Sequence, residues 1–242
     1  MRKIIFELCA ETVDACLAAR EGGADRIELC SGLSEGGLTP SHGLVREALQ
    51  QSDLPVHVLI RPRGGNYLYT EAEIAVMAED ILHVKSLGAA GVVLGLLKAD
   101  RTVDVETTRN FVQLARPMQV TFHRAFDDTP DLETALEAVI STGCERVLTS
   151  GGCTDVAQGA EILARLVKQA DGRLEVAVGG GLRLTNASSL VRLTGATHFH
   201  GSLRPGREKR VESADGALVP ETEYSEVEVT AVREMVEQLQ LG

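Results

Sequence analysis

Short bursts of alternating apolar and polar residues recur along the chain, each followed by a stretch whose apolar positions return at helical spacing. In the first burst Phe6 and Leu8 share one face and Glu7 and Cys9 the other, because successive side chains of a strand point to opposite sides. The second burst copies it: Ile27 and Leu29 face one way, Glu28 and Cys30 the other. Two neighbouring parallel strands would thus each finish on a Glu and a Cys. Polar groups at the end of a strand are costly unless they meet solvent, a ligand or a partner.

The same reading predicts strands over 3–8, 25–29, 56–60, 91–94, 119–122, 146–148, 174–178 and 197–199. Helices are expected over 12–20, 42–51, 71–87, 105–115, 131–142, 156–170, 187–193 and 225–241. Thr12 and Thr70 supply N-cap signals, and Gly22-Gly23, Gly88 and Gly143 supply stops. Strands that alternate regularly with helices imply βαβ units and a parallel sheet. Eight such units predict an α/β fold of the closed (β/α)8 TIM barrel type; an open Rossmann or flavodoxin sheet of that width would be unusual. No linker interrupts the pattern, so one domain is expected over 1–242, with the barrel in 3–202 and an irregular segment plus a final helix in 203–242.

In such a barrel the loops after the strands carry function. Those strand ends hold Glu7 and Cys9, Glu28 and Cys30, Arg61 and Arg63, His123 and Arg124, Ser150, Gly179 to Gly181, and His200-Gly201-Ser202. The strand interiors are mostly Val, Ile and Leu, so charge gathers at one end. Glu7 and Glu28 suit proton transfer or orientation, and His123 suits acid–base work because an unperturbed imidazole titrates near neutrality. Arg61 belongs with this catalytic set. Arg63 and Arg124, with Ser150, Gly180, Gly181, Gly201 and Ser202, form the expected anion-binding set; guanidinium forks and glycine-rich turns after the last strands both suit phosphate or carboxylate. A structural alternative stands beside this: Glu28 and Arg61 as a buried ion pair tying adjacent strands. Cys9 and Cys30 can be small buried hydrophobes or, on neighbouring strands, soft ligands for Cu(I). Zinc would want four ligands, two Cys with His123 or His200 being conceivable. Cys16 and Cys144 read as core, His57 and His83 as structural or surface residues, and His198 lies on the same strand face as His200.

Composition narrows the functions. With a formal net charge of −11, non-specific binding to nucleic acid or anionic membrane is not expected. Five scattered cysteines without a C-x-x-C pair read as reduced thiols, and no signal peptide or bilayer-length apolar run is evident, so a cytoplasmic protein is expected. Gly179 to Gly181 lacks dinucleotide-fingerprint spacing, so no nucleotide cofactor is expected, and Ser150 lies in no nucleophile elbow.

Taken together, FELCAETVDACLAAREGGADRIELCSGLSEGGLTPSHG, IRPRGGNYLYTEAE, TFHRAFD, RVLTSGG and the glycine-run-to-HGS ending resemble the CutC copper homeostasis family. The resemblance runs from Phe6 to about Ser202, and Arg210 with Glu223-Tyr224 is similar to the family's C-terminal segment. It departs from the family pattern at Gly152, Val178 and His198. The resemblance implies a TIM barrel, a cytosolic protein linked to copper tolerance, and copper binding at Cys9 and Cys30, the cysteines of the FELC and IELC motifs. Two functions follow as expectations. One is Cu(I) handling by the strand-end thiols. The other is an enzyme acting by acid–base chemistry on a small anionic, perhaps phosphorylated, metabolite. A homodimer or higher homo-oligomer is expected of a barrel with helical outer faces.

Overall fold

A computed structural model describes residues 3–204, 210–212, 218–220 and 226–242. Eight parallel strands close into a barrel in chain order, β8 pairing back to β1. They are β1 (Ile5–Ala10), β2 (Arg26–Leu29), β3 (Val56–Leu59), β4 (Gly91–Leu94), β5 (Gln119–Phe122), β6 (Arg146–Thr149), β7 (Glu175–Val178) and β8 (His198–Gly201). Between them run α1 (Val13–Gly22), α2 (His42–Gln51), α3 (Glu71–Ser86), α4 (Val105–Ala115), α5 (Leu132–Thr142), α6 (Ala160–Ala170) and α7 (Leu184–Thr194). A short antiparallel pair, β9 (Arg210–Glu212) with β10 (Leu218–Pro220), follows, and α8 (Val229–Gln240) ends the chain. The (β/α)8 TIM barrel expectation is correct.

Local chemistry sets the helix ends. Thr12, Ser41, Thr70, Asp104 and Asp131 each accept a hydrogen bond from a first-turn N–H, and at α3 Glu73 reaches back to the Thr70 N–H to complete a capping box. Strand alternation then sorts the two faces. Phe6, Leu8, Ile27, Leu29, Val58, Val92, Val120 and Phe199 point outward into the layer shared with the helices, which is the main apolar core. Inside the barrel a second, small apolar cluster of Cys9, Cys30, Leu59 and Val93 lies beneath Leu33. Most of the remaining interior is polar.

Several boundaries differ from expectation, for identifiable reasons. The helix predicted from 156 begins at Ala160, because 150–159 folds back over the strand ends: the Val156 N–H donates to the Gly180 carbonyl, and Gly159 packs against the Ser150 carbonyl where a Cβ would sit 1.9 Å from that oxygen. The helix expected from 187 starts earlier, at Leu184, with the Asn186 side chain accepting from the Arg183 N–H. β1 and β8 extend further toward the mouth, to Ala10 and Gly201. The expected irregular stretch contains the β9–β10 pair; Glu223 and Tyr224 of the C-terminal resemblance, and the predicted helix start at Ser225, lie outside the described residues. No helix among the described residues is long and apolar enough to cross a membrane.

Candidate functional site

The barrel interior divides into a floor and a mouth. In the floor, the Arg146 guanidinium donates to Glu7 Oε2 at 2.7 Å and lies 3.3 Å from His57 Nδ1; Arg26 approaches the same carboxylate oxygen at 3.4 Å. Glu7 Oε1 meets His200 Nδ1 at 2.9 Å. Burial alone would raise the Glu7 pKa, but the His200 hydrogen bond, with the charges of His200 and Arg26, holds it below the ordinary value. Burial pushes His57 down to about 4, so that ring is neutral. Its ring also explains Gly91: a Cβ there would sit 2.5 Å from the imidazole. Glu7, expected as a catalytic acid, is therefore the centre of a buried ion cluster. His57, read as structural or surface, is part of that cluster.

Above the floor sit the sulfurs. Cys9 Sγ lies 3.6 Å from Cys30 Sγ and 4.0 Å from Glu28 Oε1. The ligating atoms of Cys9, Glu28 and His200 all lie within 4.8 Å of one another. The Cys30 bond and burial push the Cys9 thiol well above its ordinary pKa. Burial likewise raises the Glu28 carboxyl, to about 7, with the His200 charge pulling the other way. Burial opposes the charge on His200, yet Glu28, Cys9 and Glu7 outweigh it and hold the imidazolium well above the usual range. Glu28 Oε2 is buried without a hydrogen-bond partner, its nearest cation being His200 Nδ1 at 3.9 Å. The alternative Glu28–Arg61 ion pair does not form.

Arg61 instead clamps loops. Its Nη1 donates to the carbonyls of Glu35 and Gly37, both at 2.7 Å, and its Nη2 to that of Gly65 at 2.9 Å. The first two bonds fix the loop that closes over Cys30, where a Gly37 Cβ would strike Leu59 at 2.6 Å. Arg61 is buried, stacks on Tyr67, and has no carboxylate within ion-pair distance among the described residues. His123 packs on the same Tyr67 with ring centroids 4.9 Å apart. Burial and the Arg61 charge push its pKa to about 3, and its Nδ1 accepts from the Ala125 N–H. The proton therefore resides on Nε2, which has no partner. The expectation of His123 titrating near neutrality is corrected: it is a fixed neutral donor with no free lone pair.

A cavity of about 330 Å3 joins these groups, reaching Cys9, Glu28 and His200 on one side and Arg61, His123 and Arg124 on the other. Gly180, Gly181, Gly201 and Ser202 contribute to its rim. Two expected anion-site residues do not reach its wall. Arg63 is held outside by Glu73 at 2.6 Å and by the carbonyls of Gly64, Asn66 and Leu68. Ser150 is fully buried, its hydroxyl bonded to Asp127, Arg124 and the Cys153 carbonyl. His200, read from sequence as a strand-end residue and a conceivable metal ligand, is in the site, whereas Tyr67 and Arg146 were not singled out. The signal for His200 is its place at the end of the last strand; Tyr67 and Arg146 carry none, because one lies in a loop and the other at the start of β6. His198 itself faces Glu175 at 3.2 Å, toward the opposite end.

The donor set fits copper. The Cys9 sulfur and the His200 imidazole are soft and borderline ligands of the kind that select Cu(I) or zinc over oxygen-seeking ions, with Glu28 Oε2 an orphaned acceptor beside them, and Cys30 adds a second sulfur 3.6 Å from Cys9.

Comparison with known proteins bears on this pocket. The sequence matches the CutC family over residues 4–205. A human protein named copper homeostasis protein cutC homolog is 44% identical over 236 residues, 95% of this chain and 86% of its own length. A CutC family protein of Chromobacterium violaceum is 50% identical over 200 residues, 83% of this chain and 81% of its own. The crystal structure of a copper homeostasis protein CutC from Streptococcus agalactiae superposes with a TM-score of 0.78 at 32% identity, covering 82% of this chain and 98% of that one. A phosphoribosylanthranilate isomerase from Pyrococcus furiosus, at 15% identity and a TM-score of 0.57 over 98% of both chains, shares the fold alone.

Proposed function

The chain belongs to the CutC family, and from that premise we propose that it handles copper by holding Cu(I) between Cys9 and Cys30, with His200 as the third donor. The observation that carries this reading is the 3.6 Å sulfur pair at the inner end of a cavity, beside an imidazole. Copper is cargo here. Both cysteines are buried, so the metal enters through the cavity, on whose wall Cys9 stands. The Cys9 thiol is protonated at neutral pH, and so is His200; binding must displace those protons, so apparent affinity increases with pH. The cytoplasm, where thiols stay reduced, is the compartment this chemistry needs, and a homo-oligomer is compatible with it.

Titration of Cu(I) against a competing chelator tests the reading. Wild type should bind one equivalent, and the Cys9→Ser/Cys30→Ser variant should lose binding by orders of magnitude. Equal affinity in the two proteins, or tighter binding of Zn2+ than of Cu(I) by the wild type, contradicts it.

A second reading is favoured by one specific observation: a carboxyl raised to about 7, Glu28, stands on the cavity wall opposite an arginine with no carboxylate partner. That is the poise a general acid or base needs. In this reading Glu28 moves a proton on a small anion while His123 donates a fixed hydrogen bond. A screen of small phosphorylated metabolites for turnover, wild type against Glu28→Gln, tests it. Turnover that Glu28→Gln leaves unchanged removes Glu28 from the chemistry.

A further inference from the structure

The outer wall of the cavity holds more hydrogen-bond donors than the protein gives acceptors for. Arg61 and His123 line the cavity, while Arg61 Nε and His123 Nε2 themselves are buried and unpartnered, with the Tyr69 hydroxyl close to Arg61. Arg124 spends Nε on Asp127 at 2.8 Å and Nη2 on the Ser150 hydroxyl at 2.9 Å, which leaves Nη1. That nitrogen lies over Gly180, 3.2 Å from where a Cβ would be, and the guanidinium carbon is at 3.1 Å, so a side chain there would crowd the guanidinium. Gly180 and Gly181 are consecutive residues with φ of +96° and +105°, a backbone that side chains rarely adopt. Their carbonyls accept from the Val156 N–H and the Asn186 side chain, while their own N–H groups, with that of Leu182, meet no backbone acceptor among the described residues. Among the residues lining the cavity the one carboxylate is Glu28; a second, Asp155, packs behind the turn with its oxygens 3.1 and 3.3 Å from where a Gly181 Cβ would be, and is paired with Arg183. In a chain with a net charge of −11, a cavity lined by two arginines and one carboxylate is a local reversal.

We propose that this outer wall is a binding site for the phosphate group of a small phosphate monoester, seated between Arg124 Nη1 and the Gly180–Leu182 turn, with the organic part reaching toward Arg61 and His123. The inference rests on the second reading above and names its ligand class. A tetrahedral oxyanion fits better than a carboxylate, because Arg124 offers one open nitrogen and not a two-nitrogen fork, beside turn N–H groups that meet no backbone acceptor among the described residues. The turn after β7 is also where barrels of this fold commonly seat phosphate on backbone N–H groups. The cavity volume of about 330 Å3 is at the small end for ligand pockets, which suits a compact metabolite and not a dinucleotide.

Thermal unfolding at constant ionic strength, with inorganic phosphate, ethyl phosphate and acetate as probes, tests the site. Phosphate and ethyl phosphate should raise the wild-type midpoint saturably, and acetate should not. Arg124→Gln should weaken the response about tenfold or more, the loss of one charge-assisted bond. Arg124→Lys should recover part of it, which guards against a merely damaged loop. Cys9→Ser/Cys30→Ser should respond like wild type. The proposal is overturned by no saturable shift in wild type, by an equal response to acetate, or by an undiminished response in Arg124→Gln. Phosphate binding that persists in Glu28→Gln, with no ester turned over by the wild type, upholds the site and removes only the acid–base reading.

Discussion

The floor and the mouth of this barrel are made of the same residue types, yet they differ in how their charges are met. In the floor, Glu7 gathers Arg26, Arg146 and His200, and Arg146 also meets His57; of these groups only Arg146 Nε lacks a partner. One turn of strand higher, Glu28 Oε2, Arg61 Nε and His123 Nε2 are all buried and unanswered. Unmet buried polar atoms each cost free energy, and both layers hold some, Arg146 Nε and Thr121 Oγ1 among those below; what sets the upper layer apart is that Glu28, Arg61 and His123 line a cavity. A charge in the floor is structure. At the mouth, Glu28 and Arg124 border a cavity, while Arg61 still clamps loop carbonyls.

The largest expected effect is in the floor. Arg146→Met should cost about 3–5 kcal/mol in denaturant unfolding, because it strips the shortest contact from a buried carboxylate. Adding Glu7→Gln should restore much of that loss; a double variant no better than the single one would break the ion-cluster account.

The neutral histidines come next. With His57 near 4 and His123 near 3 in the fold, unfolded imidazoles gain protons below about 6.5 while the folded ones do not. Stability should therefore fall with falling pH from about 6.5 to 4 through His57, by up to about 3 kcal/mol, and on to about 3 through His123. His57→Gln should flatten the first part of that limb; an unchanged slope contradicts the assignment.

Glu28 should behave in the opposite sense. Its folded pKa of about 7 exceeds that of the unfolded chain, so stability is lost as pH rises from about 4.5 to 7. Glu28→Gln should be about 1–3 kcal/mol more stable than wild type at pH 8 and no more stable at pH 4. A destabilised Gln variant at pH 8 would place Glu28 with the floor, and the distinction between the two layers would fail.

Much of this was legible in the chain. The alternation of Phe6–Cys9 and Ile27–Cys30 gave the barrel and put Glu7, Cys9, Glu28 and Cys30 on its inner face. Depth and pairing were not legible. Glu7 and Cys9 are two residues apart on one strand, but only coordinates show that Arg146, from the far side of the barrel, saturates the first and leaves the second at the cavity. Arg61 reads from sequence as one of the catalytic set because its use on three loop carbonyls depends on loop paths that no local pattern encodes. Arg63 was misplaced for the same reason, since Glu73 at the start of α3 turns it outward. The neutrality of His123 follows from burial beside Arg61, a property of packing and not of residue type.

The most direct test of the mouth as the working end is X-ray absorption at the copper edge on protein loaded with one equivalent of Cu(I). Two sulfur neighbours and one imidazole nitrogen are expected, from Cys9, Cys30 and His200, with both sulfurs gone in Cys9→Ser/Cys30→Ser. A first shell of nitrogen and oxygen only, or an identical spectrum from that variant, would contradict the account.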